Sequence, residues 1–319
     1  MTIAFFLIAG LVLLFFGAEL LVKSASAIAL KLGLPPLVIG LTVVAFGTSM
    51  PEMTVSVQAA MNGAGDIAAA NVVGSNIFNI ALILGLAAAI CPIRITAQIV
   101  RVDIPIMIGV SVLCIGALRD RQLSRFEGLA LLIGIIAYTV FSFRLAKKKP
   151  SAEATQEAEE MLRDQRPGLL SKSLAWAAAG VIAGLALLVL GSKALIAGAT
   201  ELALMFGVSQ AVIGLTIVSA GTSLPELATS VIAALRRQPD ISVGNVVGSN
   251  IFNVLGILGC SSLLNPYSAS GVTTADLLMM LGTAVLSLPL MWSRFTLSRA
   301  EGVFLLACYG GYLWYLWPK

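Results

Sequence analysis

Apolar runs follow one another along the chain from Ile3 to Trp317, broken by one clear polar stretch, Lys147 to Lys172. A helix of roughly 20 apolar residues spans a bilayer, and by that measure about ten spans are expected. They fall at 3–30, 34–62, 67–91, 103–118 and 124–143 before the polar stretch, and at 173–200, 208–235, 241–264, 273–293 and 297–316 after it. The first run reads as a retained span. No basic residue precedes it, and it outruns the apolar core of a cleaved signal. The polar stretch passes from K-K-K-P through A-E-A-T-Q-E-A-E-E to R-D-Q-R-P-G. It reads as a short linker with one exposed helix, too short to be a stable domain.

The runs are copies of one another. L-P-P-L-V-I-G-L-T-V-V-A-F-G-T-S-M-P-E, from Leu34 to Glu52, returns as V-S-Q-A-V-I-G-L-T-I-V-S-A-G-T-S-L-P-E, from Val208 to Glu226. N-V-V-G-S-N-I-F-N at Asn71 recurs unchanged at Asn245, and L-S-R-F-E-G at Leu123 matches L-S-R-A-E-G at Leu297. Every pair is 174 positions apart, so one duplicated unit fills the chain. Residues 1–146 form the first repeat, 147–171 the linker and 172–319 the second repeat. Each repeat holds five spans, and because five is odd the second copy enters the membrane from the opposite side. The expected fold is an all-α membrane protein of about ten transmembrane helices in two inverted five-helix repeats, with interrupted helices at the midplane. Ser124 with Glu127 and Ser298 with Glu301 have the spacing of capping boxes opening the last span of each half.

Composition agrees: 58% of residues are hydrophobic and 11% charged, more apolar surface than one soluble core buries. The partner implied is a lipid bilayer, with no nucleic acid. With the N-terminus outside, Arg119, Arg121, Arg125, Lys193 and Lys319 fall on the outer side and the remaining Lys and Arg fall inside or at inner helix ends. That asymmetry predicts a multi-pass protein of the inner (plasma) membrane with both termini outside and the linker cytoplasmic. Cys91, Cys114, Cys260 and Cys308 are isolated and read as packing residues; histidine is absent, so neither a soft-metal site nor a bound cofactor is expected.

Two acidic residues stand inside apolar spans. An intramembrane carboxylate costs about 2.5 to 3.5 kcal/mol on insertion scales. Glu52 and Glu226 each follow G-T-S-x-P, and proline deprives the carbonyl four residues earlier of its helical donor. Pro51 therefore releases the Gly47 carbonyl and Pro225 that of Gly221, and such breaks are tolerated only where they line an enclosed cavity. G-S-N-I-F-N at Gly74 and Gly248 adds hydroxyls and amides. Ser75 and Asn79 lie four apart on one helical face, as do Ser249 and Asn253. The inventory is carboxylate, hydroxyl, amide and carbonyl oxygen, which suits calcium and sodium. The bland alternatives are a capping box for S-x-P-E and interhelical hydrogen-bonding glue for S-N-x-x-N. Two matching copies in an inverted repeat favour an ion site. Glu19, Lys23, Lys193 and Glu201 read as snorkelling or locally paired. Asp66, Asp240, Asp103 and Asp276 read as helix N-caps, and Tyr312, Trp314, Tyr315 and Trp317 as an interfacial belt.

G-T-S-x-P-E followed by N-V-V-G-S-N-I-F-N, in two copies across essentially the whole chain, resembles the alpha repeats of the calcium/cation antiporter superfamily, and within it the prokaryotic sodium/calcium exchangers. The first copy reads A-N-V-V at Ala70 where the second reads G-N-V-V. The resemblance implies that Glu52 and Glu226 bind calcium with Thr48 and Thr222. It implies sodium sites from Thr48, Ser49, the Ala45 carbonyl and Ser249 on one side and from Thr222, Ser223, the Ser219 carbonyl and Ser75 on the other, with Asn79 and Asn253 completing the middle. It further implies alternating-access exchange of several sodium ions for one calcium, the first and sixth spans sliding across the rest. Proton-coupled members carry G-N-x-x-E; here the stretch ends in glycine, which favours sodium over the alternative of proton-coupled calcium or cation exchange. An enzyme is not expected. G-A-G-D at Gly63 is matched by R-Q-P-D rather than a second protease motif, and a histidine-dependent serine protease is excluded. A passive channel is the remaining rival, disfavoured by the inverted repeat.

Overall fold

The computed structural model describes residues 2–148, 173–206 and 219–316. The first half contains α1 (Thr2–Leu32), α2 (Pro36–Thr48), α3 (Met50–Met61), α4 (Gly65–Ile90), α5 (Ile99–Ala117) and α6 (Arg125–Lys148). The second contains α7 (Leu174–Met205), the single turn α8 (Ser219–Thr222), α9 (Leu224–Leu235), α10 (Pro239–Leu264), α11 (Thr274–Trp292) and α12 (Arg299–Leu316). Among the described residues 7 helices are each long and apolar enough to cross a membrane, and α2 with α3 adds another, bent by 46°. The chain is a helical membrane protein. α9 and α12 follow α3 and α6 at the repeat distance and fill the two remaining expected places. The expected linker helix, residues 208–218 of the seventh span, and Trp317 lie outside the described residues.

Two packing observations fix the relative direction of the halves. Gly10 and Gly17 of α1 meet Gly191 and Gly184 of α7 backbone to backbone, the higher number on one helix against the lower on the other, so the helices opening the two halves are antiparallel. Small residues at such spacing let helix backbones approach within a membrane. Four two-residue strands close the ends: β1 (Ile93–Arg94) pairs with β4 (Thr296–Leu297), and β2 (Gln122–Leu123) with β3 (Tyr267–Ser268). Each pairing joins a loop of one half to a loop of the other. The loop after the third span thereby shares one end of the molecule with the loop after the ninth, as an inverted copy requires.

α4 and α10 form the centre, with 72% and 89% of their most apolar windows buried against 22% for α6. They anchor the larger hydrophobic cluster, whereas α1 and α7 with Ile39, Val44, Ile232, Ala233 and Ile241 form a second, smaller one. Both expected capping boxes are present. Glu127 Oε2 accepts from the Ser124 amide at 2.8 Å and Glu301 Oε2 from the Ser298 amide at 2.7 Å. The four aspartates depart from the expectation. Asp66 and Asp240 are the second residues of α4 and α10, not their caps, and Asp66 Oδ1 accepts from the Gly271 amide at 2.7 Å. α5 begins earlier than expected, with a π-helical turn over Ile99–Asp103, so Asp103 lies buried inside it and accepts from the Tyr138 hydroxyl at 3.4 Å. At α11 the cap is Thr273, with Asp276 closing the box. Tyr312 is more than a belt residue: its hydroxyl donates to Asp276 Oδ1 at 2.6 Å.

The α1–α7 contact leaves no room for a side chain. A Cβ on Gly184 would stand 2.8 Å from the Leu21 backbone nitrogen, so Gly184→Ala is expected to destabilise by about 1–3 kcal/mol through overpacking. Gly282→Ala, whose Cβ would meet nothing within 4 Å, is the control. Thermal melting of the two purified variants in one detergent checks the difference.

Candidate functional site

Each half breaks a helix ahead of its glutamate. Pro51 and Pro225 stand in the first turns of α3 and α9, where a missing N–H is tolerated, and Ser49 and Ser223 occupy the preceding N-cap positions with φ near −84° and −89°. An N-cap serine ordinarily accepts from its own helix's third amide. Neither serine does. Ser49 Oγ instead donates to Glu226 Oε1 at 2.8 Å, and Ser223 Oγ donates to Glu52 Oε1 at 2.8 Å. The capping reading of S-x-P-E is therefore wrong for this chain: the hydroxyls cross between halves and hold each other's carboxylate. Both glutamates are 1% exposed, and the charge of Glu226 acts on Glu52. Thr222 lies near enough to Glu52, and Thr48 to Glu226, to act on their charge.

A framework of amides sets these groups in place. Asn71 Nδ2 donates to the Glu52 carbonyl at 3.2 Å and to Ser56 Oγ at 2.9 Å; Asn245 Nδ2 makes the same pair to the Glu226 carbonyl at 3.3 Å and Ser230 Oγ at 2.9 Å. Asn245 Oδ1 accepts from Thr48 Oγ1 at 3.0 Å. Where α4 crosses α10, Asn76 Nδ2 donates to the Asn250 carbonyl at 3.2 Å and Asn250 Nδ2 to the Asn76 carbonyl at 3.3 Å. Their side-chain oxygens accept from Asn253 Nδ2 and Asn79 Nδ2, both at 3.0 Å. The glue reading of S-N-x-x-N thus holds for Asn76 and Asn250. Those two fix Asn79 and Asn253 by their amide nitrogens, and π-helical turns at Phe78–Leu84 and Asn253–Leu258 start beside the same residues. Such turns re-aim side chains and recur at functional sites.

Among the glutamates and asparagines of this centre four buried oxygens are left over. Among the described residues Glu52 Oε2, Glu226 Oε2, Asn79 Oδ1 and Asn253 Oδ1 have no hydrogen-bond partner. A buried acceptor without a donor is costly, and an ionised one far more so. Two are carboxylate oxygens and two amide oxygens, a hard-ligand set that a cation of the calcium or sodium type satisfies. Among the described residues no three His, Cys, Asp or Glu gather as a conventional metal cluster. The charge available is that of the two glutamates.

The other expected site residues fall around this centre. Thr48, Ser49, Ser223 and Ser249 are buried, and Ser75 Oγ lies 3.4 Å from Ser223 Oγ. Ser249 Oγ lies 3.5 Å from the Ala45 carbonyl and Thr48 Oγ1 3.4 Å from it, which brings the expected group of Ala45, Thr48 and Ser249 together. Thr222 is half-buried, and Ser219 opens α8. Asn71, Asn76, Asn245 and Asn250 were not expected in the site, although the repeated N-V-V-G-S-N stretch contains all of them.

A sequence model of the family described as sodium/calcium exchanger protein matches residues 2–144 and 176–317, one segment in each half. A putative antiporter, CaxA, of Alkalimonas amylolytica is 37% identical, with 98% of this chain and 98% of that protein covered. Sodium/calcium exchanger MaX1 of Methanosarcina acetivorans is 35% identical, with 96% of each covered. Among solved structures, the sodium-calcium exchanger NCX_Mj soaked with zero Na+ and Ca2+ is similar with a TM-score of 0.83 at 28% identity, over 99% of each chain.

Glu52→Gln and Glu226→Gln are each expected to weaken calcium binding by on the order of 100-fold or more, since a unit charge at ligand distance is worth several kcal/mol even at an effective dielectric near 20. Calorimetric titration of purified, monodisperse protein measures this. A Glu52→Gln, Glu226→Gln double variant that binds calcium as the parent does would remove the glutamates from the site.

Proposed function

The chain belongs to the sodium/calcium exchanger protein family, and on that premise we propose that it exchanges sodium for calcium across the membrane at a site built around Glu52 and Glu226. The observation that carries this reading is the set of unpartnered carboxylate and amide oxygens shared between the halves. Their two charges balance one calcium ion. Several sodium ions would together exceed that charge, so that exchange of more than two sodium ions for one calcium moves net charge across the membrane. Because each serine serves the other half's glutamate, one ion contacts both repeats, as a carrier site between inverted repeats requires.

Sodium rather than proton coupling is supported by glycine at positions 74 and 248, where proton-coupled relatives carry glutamate, and by the name of the 35% identical relative, MaX1. Asn253 bears on potassium. Its neutral amide leaves two carboxylates, and an added monovalent ion beside calcium would give a poorly solvated cavity a net positive charge. The repeat boundaries follow from the same reading: 1–146 and 172–319 as the inverted halves, joined by 147–171 on the cytoplasmic side, with both termini outside the inner membrane.

In sealed vesicles a sodium gradient is expected to drive calcium flux with potassium replaced by choline on both sides and the potential clamped. Loss of flux without potassium would overturn the Asn253 argument, and flux driven by a pH gradient but not by sodium would make the protein a proton-coupled exchanger. For orientation, a single cysteine placed in the linker of a cysteine-free background is expected to react with a membrane-impermeant reagent only after the cells are opened. Labelling of intact cells would reverse the orientation.

A further inference from the structure

The carbonyls released by the two prolines, Gly47 and Gly221, do not end in equal surroundings. α7 passes directly over Gly221. Ser192 Oγ donates to the Gly221 carbonyl, and one turn later Ile196 occupies the space a Cβ on Gly221 would need. Ser192 is 4% exposed, so neither lipid nor water competes for this bond. The positions of α1 equivalent to Ser192 and Ile196 are Ala18 and Val22, both fully buried and neither a donor. Gly47 meets Leu185 of α7, an apolar neighbour. Among the described residues no side chain hydrogen-bonds its carbonyl.

Duplication by itself gives two equivalent helix breaks, and the crossed serine–glutamate bonds and the Asn71 and Asn245 donations obey that equivalence. Ser192 breaks it. A carbonyl oxygen has two lone pairs, and a hydroxyl that takes one also fixes the peptide plane carrying the other. We infer that Ser192 is a positioning residue that makes the two halves of the cation site unequal: by engaging the Gly221 carbonyl it weakens that half's hold on a monovalent cation and leaves the Gly47 half the stronger. The inference rests on the reading that both G-T-S-x-P-E segments hold transported cations. The same bond couples α7 to the turn just ahead of Glu226, five residues on from Gly221. Calcium, held chiefly by the two carboxylates, is little affected.

The test compares parent, Ser192→Ala and Ser192→Thr proteins, purified and monodisperse, by the sodium concentration that half-displaces bound calcium and by calcium affinity without sodium. Ser192→Ala is expected to lower the half-displacing sodium concentration about threefold to tenfold, the range a lost neutral hydrogen bond allows. Calcium affinity should stay within about twofold, and Ser192→Thr, which keeps the hydroxyl, should behave as the parent. A merely structural role would move both ions together or lower the yield of folded protein alone. If the parent responds to sodium and Ser192→Ala responds at the same concentration, or shifts sodium and calcium equally, the inference falls while the exchanger reading stands. A parent whose bound calcium is unmoved by sodium overturns both.

Discussion

A carboxylate enclosed among helices needs every oxygen answered, and that need organises this molecule. Each glutamate has one oxygen held by a serine of the opposite half and, among the described residues, one without a hydrogen-bond partner. The helix breaks exist to make this possible. Without Pro51 and Pro225 the serines would lie within continuous helices, and their hydroxyls would turn to backbone carbonyls of the preceding turn, as Ser26 and Ser111 do. The asparagine framework holds the glutamates' own carbonyls, so the segments that carry them are fixed from within the protein.

The α1–α7 pair stands apart from this rigid centre. Its contact with the remainder is mostly apolar, and among the described residues its polar ties include Glu19 to Arg236 at 2.6 Å, Ser26 to Gln238 at 2.7 Å, and Ser192 to Gly221. An interface of this kind can shift while leaving few polar groups unpaired, whereas α4 crossing α10 is pinned by reciprocal amide bonds. The α1–α7 pair and the α4–α10 centre thus differ in chemistry as well as in place.

Much of this was legible in the sequence because it was written twice. The repeat distance picked out Glu52 and Glu226, the breaks ahead of them and the odd number of spans, and the structure bears out the helical membrane fold. Which of several adjacent polar residues faces the site was not legible. Ser75 and Asn79 are four apart and so share a face of an ideal helix, but a π-helical turn opens between them at Phe78, and Asn76, one residue away, becomes the crossing bond. The serine before each proline looked like a cap for its own helix, because a linear pattern carries no record of a partner 177 or 171 residues away. Glu19 paired locally with Lys23, as read, yet its second partner, Arg236, came from another helix. Asp103 shows the opposite error: a polar residue near an expected boundary was assigned to the boundary, although a buried tyrosine hydroxyl awaited it.

The strand stubs and the exchanged serines carry a consequence for the origin of the molecule. Among the described residues β1 and β2 each find their partner strand in the other half, and so does each glutamate its serine. A single repeat made alone would therefore carry frayed loops and an unanswered acid, unless it met a second copy of itself lying upside down in the same bilayer. An ancestor of one repeat would have had to insert in both directions in comparable amounts, which requires basic residues spread evenly over its two ends. Joining the two copies through the Lys147–Lys172 stretch makes that pairing unimolecular and frees the copies to differ in where their charges lie.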